Sequence, residues 1–177
     1  MHIFLTGEIQ VGKSTLINRW LAVHPELGTG GFRTLAGPTA EDGSDSVHIV
    51  PAADDPAFTE ENRVLLRNRR LAQRVRHRFP HTFNTVGVSL LTGTRDCDVI
   101  LMDEIGIQED DAEQFQQAVL DCLDGDVPVL GVVRSLPGIL TDAVRSHPKV
   151  RVVEVTPDNR SQVFDLLMEW RGAEGWS

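Results

Sequence analysis

Gly7-Glu8-Ile9-Gln10-Val11-Gly12-Lys13-Ser14-Thr15 fits the pattern G-x-x-x-x-G-K-[ST], the phosphate-binding loop (Walker A) of nucleotide enzymes. Its glycines let successive backbone N–H groups turn inward around phosphate oxygens, in conformations a side chain resists. Lys13 is expected to reach the β- and γ-phosphates, and the Ser14 hydroxyl to hold Mg²⁺. A helix opening near Lys13 adds its positive N-terminal end. So short a pattern needs the right surroundings, and they are present. His2-Ile3-Phe4-Leu5-Thr6 reads as a buried parallel strand before the loop. After it, Leu16, Ile17, Trp20 and Leu21 repeat at helical spacing until Pro25 ends the run.

The 177 residues suffice for one domain with a sizeable core, so residues 1–177 read as a single nucleotide-binding domain. A hydrophobic content of 41% with 24% charged residues is that of an ordinary globular chain. The net charge of −9 disfavours a general nucleic-acid binder. Cys97 and Cys122 show neither metal-ligand spacing nor a disulfide framework, so both are expected to be reduced and buried, as suits the cytoplasm. The N-terminal apolar run is too short for a signal peptide, and no run approaches transmembrane length.

Further along, Phe32-Arg33-Thr34-Leu35 and Val47-His48-Ile49-Val50 read as two strands of a hairpin-like excursion, residues 32–52, that could cover the site. Residues 59–79 read as a helix, capped by Thr59, begun by Glu60 and Glu61 and stopped by Pro80. Arg63, Arg67, Arg70 and Arg74 then share one helical face. The segment holds seven arginines and two glutamates, a local +5 that leaves −14 on the rest of the chain. Surface charge runs being common, it reads first as a solvated face, with a lid facing an anion as the alternative.

Phe83 to Leu91 reads as either strand or short helix. Asp98-Val99-Ile100-Leu101-Met102-Asp103-Glu104 is a central strand with two carboxylates at its carboxyl end, where ligands bind in open α/β sheets. A helix over about 110–124, a strand 127–133, a helix 136–144, a strand 150–155 and a last helix opened by Thr156-Pro157 complete the alternation, followed by a frayed tail, 172–177. The pattern implies an α/β fold, a mainly parallel sheet with helices on both faces.

Asp103 is expected to hold Mg²⁺ together with Ser14, and Glu104 to orient and deprotonate the attacking water. Arg134, after the strand 127–133, sits beside the γ-phosphate if that strand neighbours the P-loop strand; otherwise it is a surface arginine. The histidines give no metal signal, since Pro80 lies between His77 and His81.

The stretches Thr6-Gly7, Gly12-Lys13-Ser14-Thr15, Gly31-Phe32, Asp103-Glu104-Ile105-Gly106, Pro128-Val129-Leu130-Gly131 and Val155-Thr156 with Asn159-Arg160 resemble the THEP-type, or cancer-related, nucleoside triphosphatases. They occur in that family's order and span nearly the whole chain. The resemblance implies a RecA-like P-loop fold with an added central strand, and slow Mg²⁺-dependent hydrolysis of several nucleoside triphosphates, ATP and GTP among them. It also implies that Asn159 and Arg160 lie near the base, against the alternative of a helix-opening motif that holds the fold. Gln10 departs from the family by standing where many members have a second loop glycine. The Arg- and Gly-rich stretch that follows Gly-Phe in the family is also missing. Hydrolysis is therefore weighed against a nucleotide or small-molecule kinase with the arginine segment as lid, and against a nucleotide-dependent switch for an unknown protein partner.

Overall fold

The structure is a computed structural model that describes residues 1–41, 43–68 and 75–170. One eight-stranded sheet runs through it, in the spatial order β5-β4-β3-β2-β6-β7-β1-β8. The strands are β1 His2–Thr6, β2 Thr29–Ala36, β3 Ser44–Pro51, β4 Arg63–Asn68, β5 Val75–Arg78, β6 Val99–Ile105, β7 Val129–Val133 and β8 Val150–Glu154. From β2 to β8 all neighbours are parallel, and β2 to β5 pair antiparallel. Helices α1 Lys13–Val23 and α6 Arg160–Glu169 pack on one face, while α3 Val88–Thr92, α4 Glu113–Asp124 and α5 Ile139–Ser146 pack on the other.

Burial on both sides explains the unbroken apolar strands. Every residue of β1 and of β7 is buried. Each face has its own core. Phe32, Phe83, Met102 and Phe115 anchor one; Leu5, Ile17, Trp20 and Trp170 anchor the other. Trp20 Nε1 also donates to the Leu167 carbonyl at 2.8 Å, which ties α1 to α6. The stretch 83–91 is helical. It belongs to a run comprising α2 Pro80–Thr82, a π-helical turn Phe83–Gly87 and α3, and Gly87 lets that turn lie directly against the Phe115 ring.

Within 59–79 the described residues, 59–68 and 75–79, do not form the expected helix. Thr59 belongs to a turn in which Asn62 Oδ1 accepts its N–H at 3.0 Å, and the chain then forms the antiparallel pair β4–β5. Arginine and leucine favour helices only by fractions of a kcal/mol. The open edge of β3, which exists only in the folded sheet, offers a full hydrogen-bond ladder, and β4 takes it. Arg63 and Arg67 thus sit on a strand rather than a helix, and the register shift between Val47 and His48 turns them to opposite faces of β4; Arg70 and Arg74 lie outside the described residues, as does the tail 172–177.

The two antiparallel strands expected within 32–52 are present as β2 and β3. β2 also pairs in parallel with β6, so both strands extend the main sheet. Smaller shifts have local causes. The helix expected at 136–144 starts at Ile139 because Pro137-Gly138 precedes it, and the one expected at about 110 starts at Glu113. Cys97 and Cys122 are free thiols and only half-buried.

Candidate functional site

The P-loop leaves the buried β1 and reaches α1 through three residues with positive φ: Gly7 at 131°, Gln10 at 63° and Gly12 at 103°. Gln10 therefore adopts the left-handed conformation that a glycine would take more easily, and the loop turns despite its side chain. At Gly7 a Cβ would stand 2.4 Å from the Val155 carbonyl oxygen, so the loop lies against the end of β8 as closely as a backbone can. Lys13 is 8% exposed, and its Nζ donates to the carbonyls of Gly7 at 2.9 Å and Glu8 at 2.6 Å. These bonds hold the ammonium inside the loop, where phosphate oxygens would compete for it.

Ser14, in the first turn of α1, donates through Oγ to Asp103 Oδ1 at 3.1 Å. Burial pushes the Asp103 carboxyl up to about 6, against the hydrogen bond from Ser14; the neighbouring Glu104 adds to the rise. A buried carboxylate beside a hydroxyl is a hard-oxygen pair. Among the described residues no group of three His, Cys, Asp or Glu could hold a metal. Mg²⁺ characteristically binds through one or two protein oxygens, completing its shell with water and phosphate, so these residues fit it.

Glu104 follows at the end of β6. Its backbone N–H donates to Thr34 Oγ1 on β2 at 3.2 Å, and its Oε1 accepts from Arg134 Nε. Arg134 reaches it because β7 lies between β1 and β6 in the sheet. Its strand neighbours the P-loop strand in the sheet, and the residue pairs with Glu104. Its carbonyl accepts from Arg145 Nη2 at 2.5 Å, and the same Nη2 donates to Thr6 Oγ1 at 3.1 Å. Arg145 thereby links α5 to the ends of β1 and β7.

Two more residues belong to the site. Arg33 is in register with Asp103 across the β2–β6 pairing, and its Nη2 donates to the Asp54 carbonyl at 2.8 Å. Glu109 is 2% exposed and accepts the Gly106 N–H at 3.0 Å; burial raises its carboxyl to about 7. Neither stood out in the sequence. Glu109 heads the acidic run Glu109-Asp110-Asp111, which reads as surface, and Arg33 adjoins Gly31-Phe32 without a motif of its own.

Ser14, Arg33, Asp103, Glu104, Glu109 and Arg134 line one cavity of about 610 Å³. Asn159 and Arg160 stand apart from it. Asn159 Oδ1 accepts from the Thr156 N–H at 2.8 Å and its Nδ2 donates to the Glu154 carbonyl at 2.9 Å, so the amide closes the loop between β8 and α6. The Arg160 side chain lies against Gly12, on the other side of the P-loop; its Nε would be 3.6 Å from a Cβ there.

With this geometry in place, a family model described as NTPase matches residues 2–168. The chain belongs to this NTPase family. Among curated relatives it is 32% identical to the nucleoside-triphosphatase THEP1 of Methanosarcina barkeri, over 86% of this chain and 88% of that one. It is 27% identical to the THEP1 of Methanocaldococcus jannaschii, over 95% of both. Two solved structures share the NTPase fold. THEP1 from the hyperthermophile Aquifex aeolicus superposes with a TM-score of 0.70, at 22% identity, over 96% of this chain and 98% of the other. A human cancer-related nucleoside triphosphatase gives 0.67, at 21% identity, over 99% of both. The added central strand implied by the resemblance is β7, which separates the P-loop strand from the Asp103 strand. Among the described residues no helix is long and apolar enough to cross a membrane.

Proposed function

We propose that this chain hydrolyses nucleoside triphosphates to diphosphate and phosphate, with Mg²⁺, in the cleft between the P-loop and the carboxyl end of β6. The observation that carries the reading is the hydrogen bond from Ser14 Oγ to Asp103 Oδ1, with Glu104 next in the chain. It joins the phosphate-binding loop, a metal-binding oxygen pair and a carboxylate base within one cavity. The relatives named nucleoside-triphosphatases support hydrolysis in general terms.

In this reading the backbone N–H groups from Gly7 to Thr15 surround the β- and γ-phosphates, and Lys13 exchanges its loop carbonyls for phosphate oxygens. Ser14 and Asp103 hold Mg²⁺, which when bound neutralises charge on the β- and γ-oxygens. Glu104 orients a water and takes its proton as the water oxygen bonds to the γ-phosphorus; the bond to the bridging oxygen breaks and the diphosphate leaves. Arg134 fixes the Glu104 carboxylate through Nε and leaves its remaining guanidinium donors for the γ-phosphate. Arg160, beside Gly12, is the member of the Asn159–Arg160 pair assigned to the nucleotide; Asn159 shapes its loop. A single domain acting in the cytoplasm completes the reading, supported by the family match over 2–168 and by two free thiols.

The test is phosphate release from ATP, GTP, CTP and UTP with and without Mg²⁺, beside Lys13→Ala and Glu104→Gln. Metal-dependent release that Lys13→Ala abolishes is expected. Release indifferent to both Mg²⁺ and Lys13 overturns the assignment.

A further inference from the structure

The cleft does not stop at Asp103 and Glu104. It runs on over β2, β3 and β4. Ala36 is in register with Val47, and Val47 with Leu65, so the three make a lateral apolar row on one face. Thr34 lies two residues before Ala36 on the same side of β2, and it is the residue that accepts the Glu104 N–H. Arg67 lies two residues beyond Leu65 on the same side of β4, in register with Asp45, whose Oδ1 accepts from Thr39 at 3.1 Å. All of Thr34, the apolar row and Arg67 border the cavity that holds Ser14 and Glu104. The Arg67 Nε is buried and has no hydrogen-bond partner among the described residues.

Distance separates this cation from the hydrolytic centre. Three strand spacings of about 4.8 Å lie between β6 and β4, so Arg67 is rooted on the order of 14 Å from the strand of Glu104. A γ-phosphate held by the P-loop is beyond one arginine side chain at that range, and the intervening floor is apolar. A triphosphate does not use such a surface. The Arg160 side of the P-loop, where the base is assigned, is the opposite one.

We infer that this extension binds a second ligand beside the nucleotide: an elongated organic anion with an apolar middle. Its anionic end pairs with Arg67, its body covers Ala36, Val47 and Leu65, and its other end reaches Thr34 and Glu104. Only the position of that last end rests on the hydrolase reading.

Anilinonaphthalene sulfonate, an aromatic body with one sulfonate, is the probe. Its fluorescence is titrated with the wild-type protein, alone and saturated with Mg²⁺ and a non-hydrolysable ATP analogue. Saturable binding that the analogue does not displace is expected. Arg67→Ala weakens it about tenfold or more, because one charge-assisted hydrogen bond is lost, and Arg67→Lys retains most of it. Probe displaced by the analogue, or bound equally by Arg67→Ala, overturns the inference. If Arg67→Ala fails to fold by far-UV circular dichroism, Arg67→Gln decides by the same criterion. Failure of the analogue to bind wild-type protein counts against the hydrolase reading instead, since the probe site is also measured without nucleotide.

Discussion

The Arg134 Nε donates to Glu104 Oε1, so the strand between the P-loop strand and the Asp103 strand supplies the cation that holds the carboxylate of the adjoining one. A carboxylate held by an arginine is fixed in direction. Glu104→Gln keeps the side-chain shape and loses the proton acceptor. Turnover should fall by about 10²–10⁴, while affinity for a fluorescent nucleotide changes little. A Gln variant that turns over at the wild-type rate rules out Glu104 as base.

Gln10 tests the loop itself. At φ 63° a β-branched residue is more strained than glutamine. Gln10→Val should lose about 1–2 kcal/mol of stability, and Gln10→Gly should stay within about 1 kcal/mol of wild type, since the strain relieved is offset by unfolded-state entropy. Urea unfolding measures both. Equal stability of the Val and Gly variants would mean that the loop does not take this conformation in solution.

His2 links stability to acid. Its Nδ1 accepts the Val129 N–H at 3.0 Å and its Nε2 donates to the Leu123 carbonyl at 2.9 Å, which requires the neutral ring. Burial lowers its pKa to about 4. The unfolded chain therefore binds the proton first. The stability that His2 contributes is complete above about pH 6.5 and is lost as the pH falls toward 4, in all about 3 kcal/mol. His2→Asn should show a flatter loss of melting temperature over that window; an unchanged slope refutes the linkage.

Glu109 acts in the opposite sense. Burial raises its carboxyl to about 7, so here the folded chain keeps the proton longer and stability falls as the pH rises from about 4.5 to 7. Glu109→Gln retains an oxygen for the Gly106 N–H and removes the buried charge. It should be more stable than wild type at pH 8, by up to about 3 kcal/mol, and nearly equal to it at pH 5. Thermal melts at the two pH values decide. A variant less stable than wild type at both values would show that the buried carboxylate is held by partners strong enough to offset its burial.

By itself the sequence determined whatever depends on near neighbours. The strand, glycine loop and helix from His2 to Val23 follow from local spacing and steric freedom, and so does the apolar run that delivers Asp103 and Glu104 to a strand end. The alternation of strands and helices with two-sided burial placed the chain among parallel α/β folds. Tertiary structure alone decided the rest, because strand order and register are contacts between distant residues. β7 inserted between β1 and β6 brings Arg134 onto Glu104; the β2–β6 register sets Arg33 against Asp103; a turn after Ile105 buries Glu109 out of an acidic run. The described part of the arginine segment departs from its helical spacing for the same reason. Its helical spacing is a weak local preference, and the unpaired edge of β3 outweighs it with a ladder of backbone hydrogen bonds, which turns Arg67 toward the cleft that begins at the P-loop.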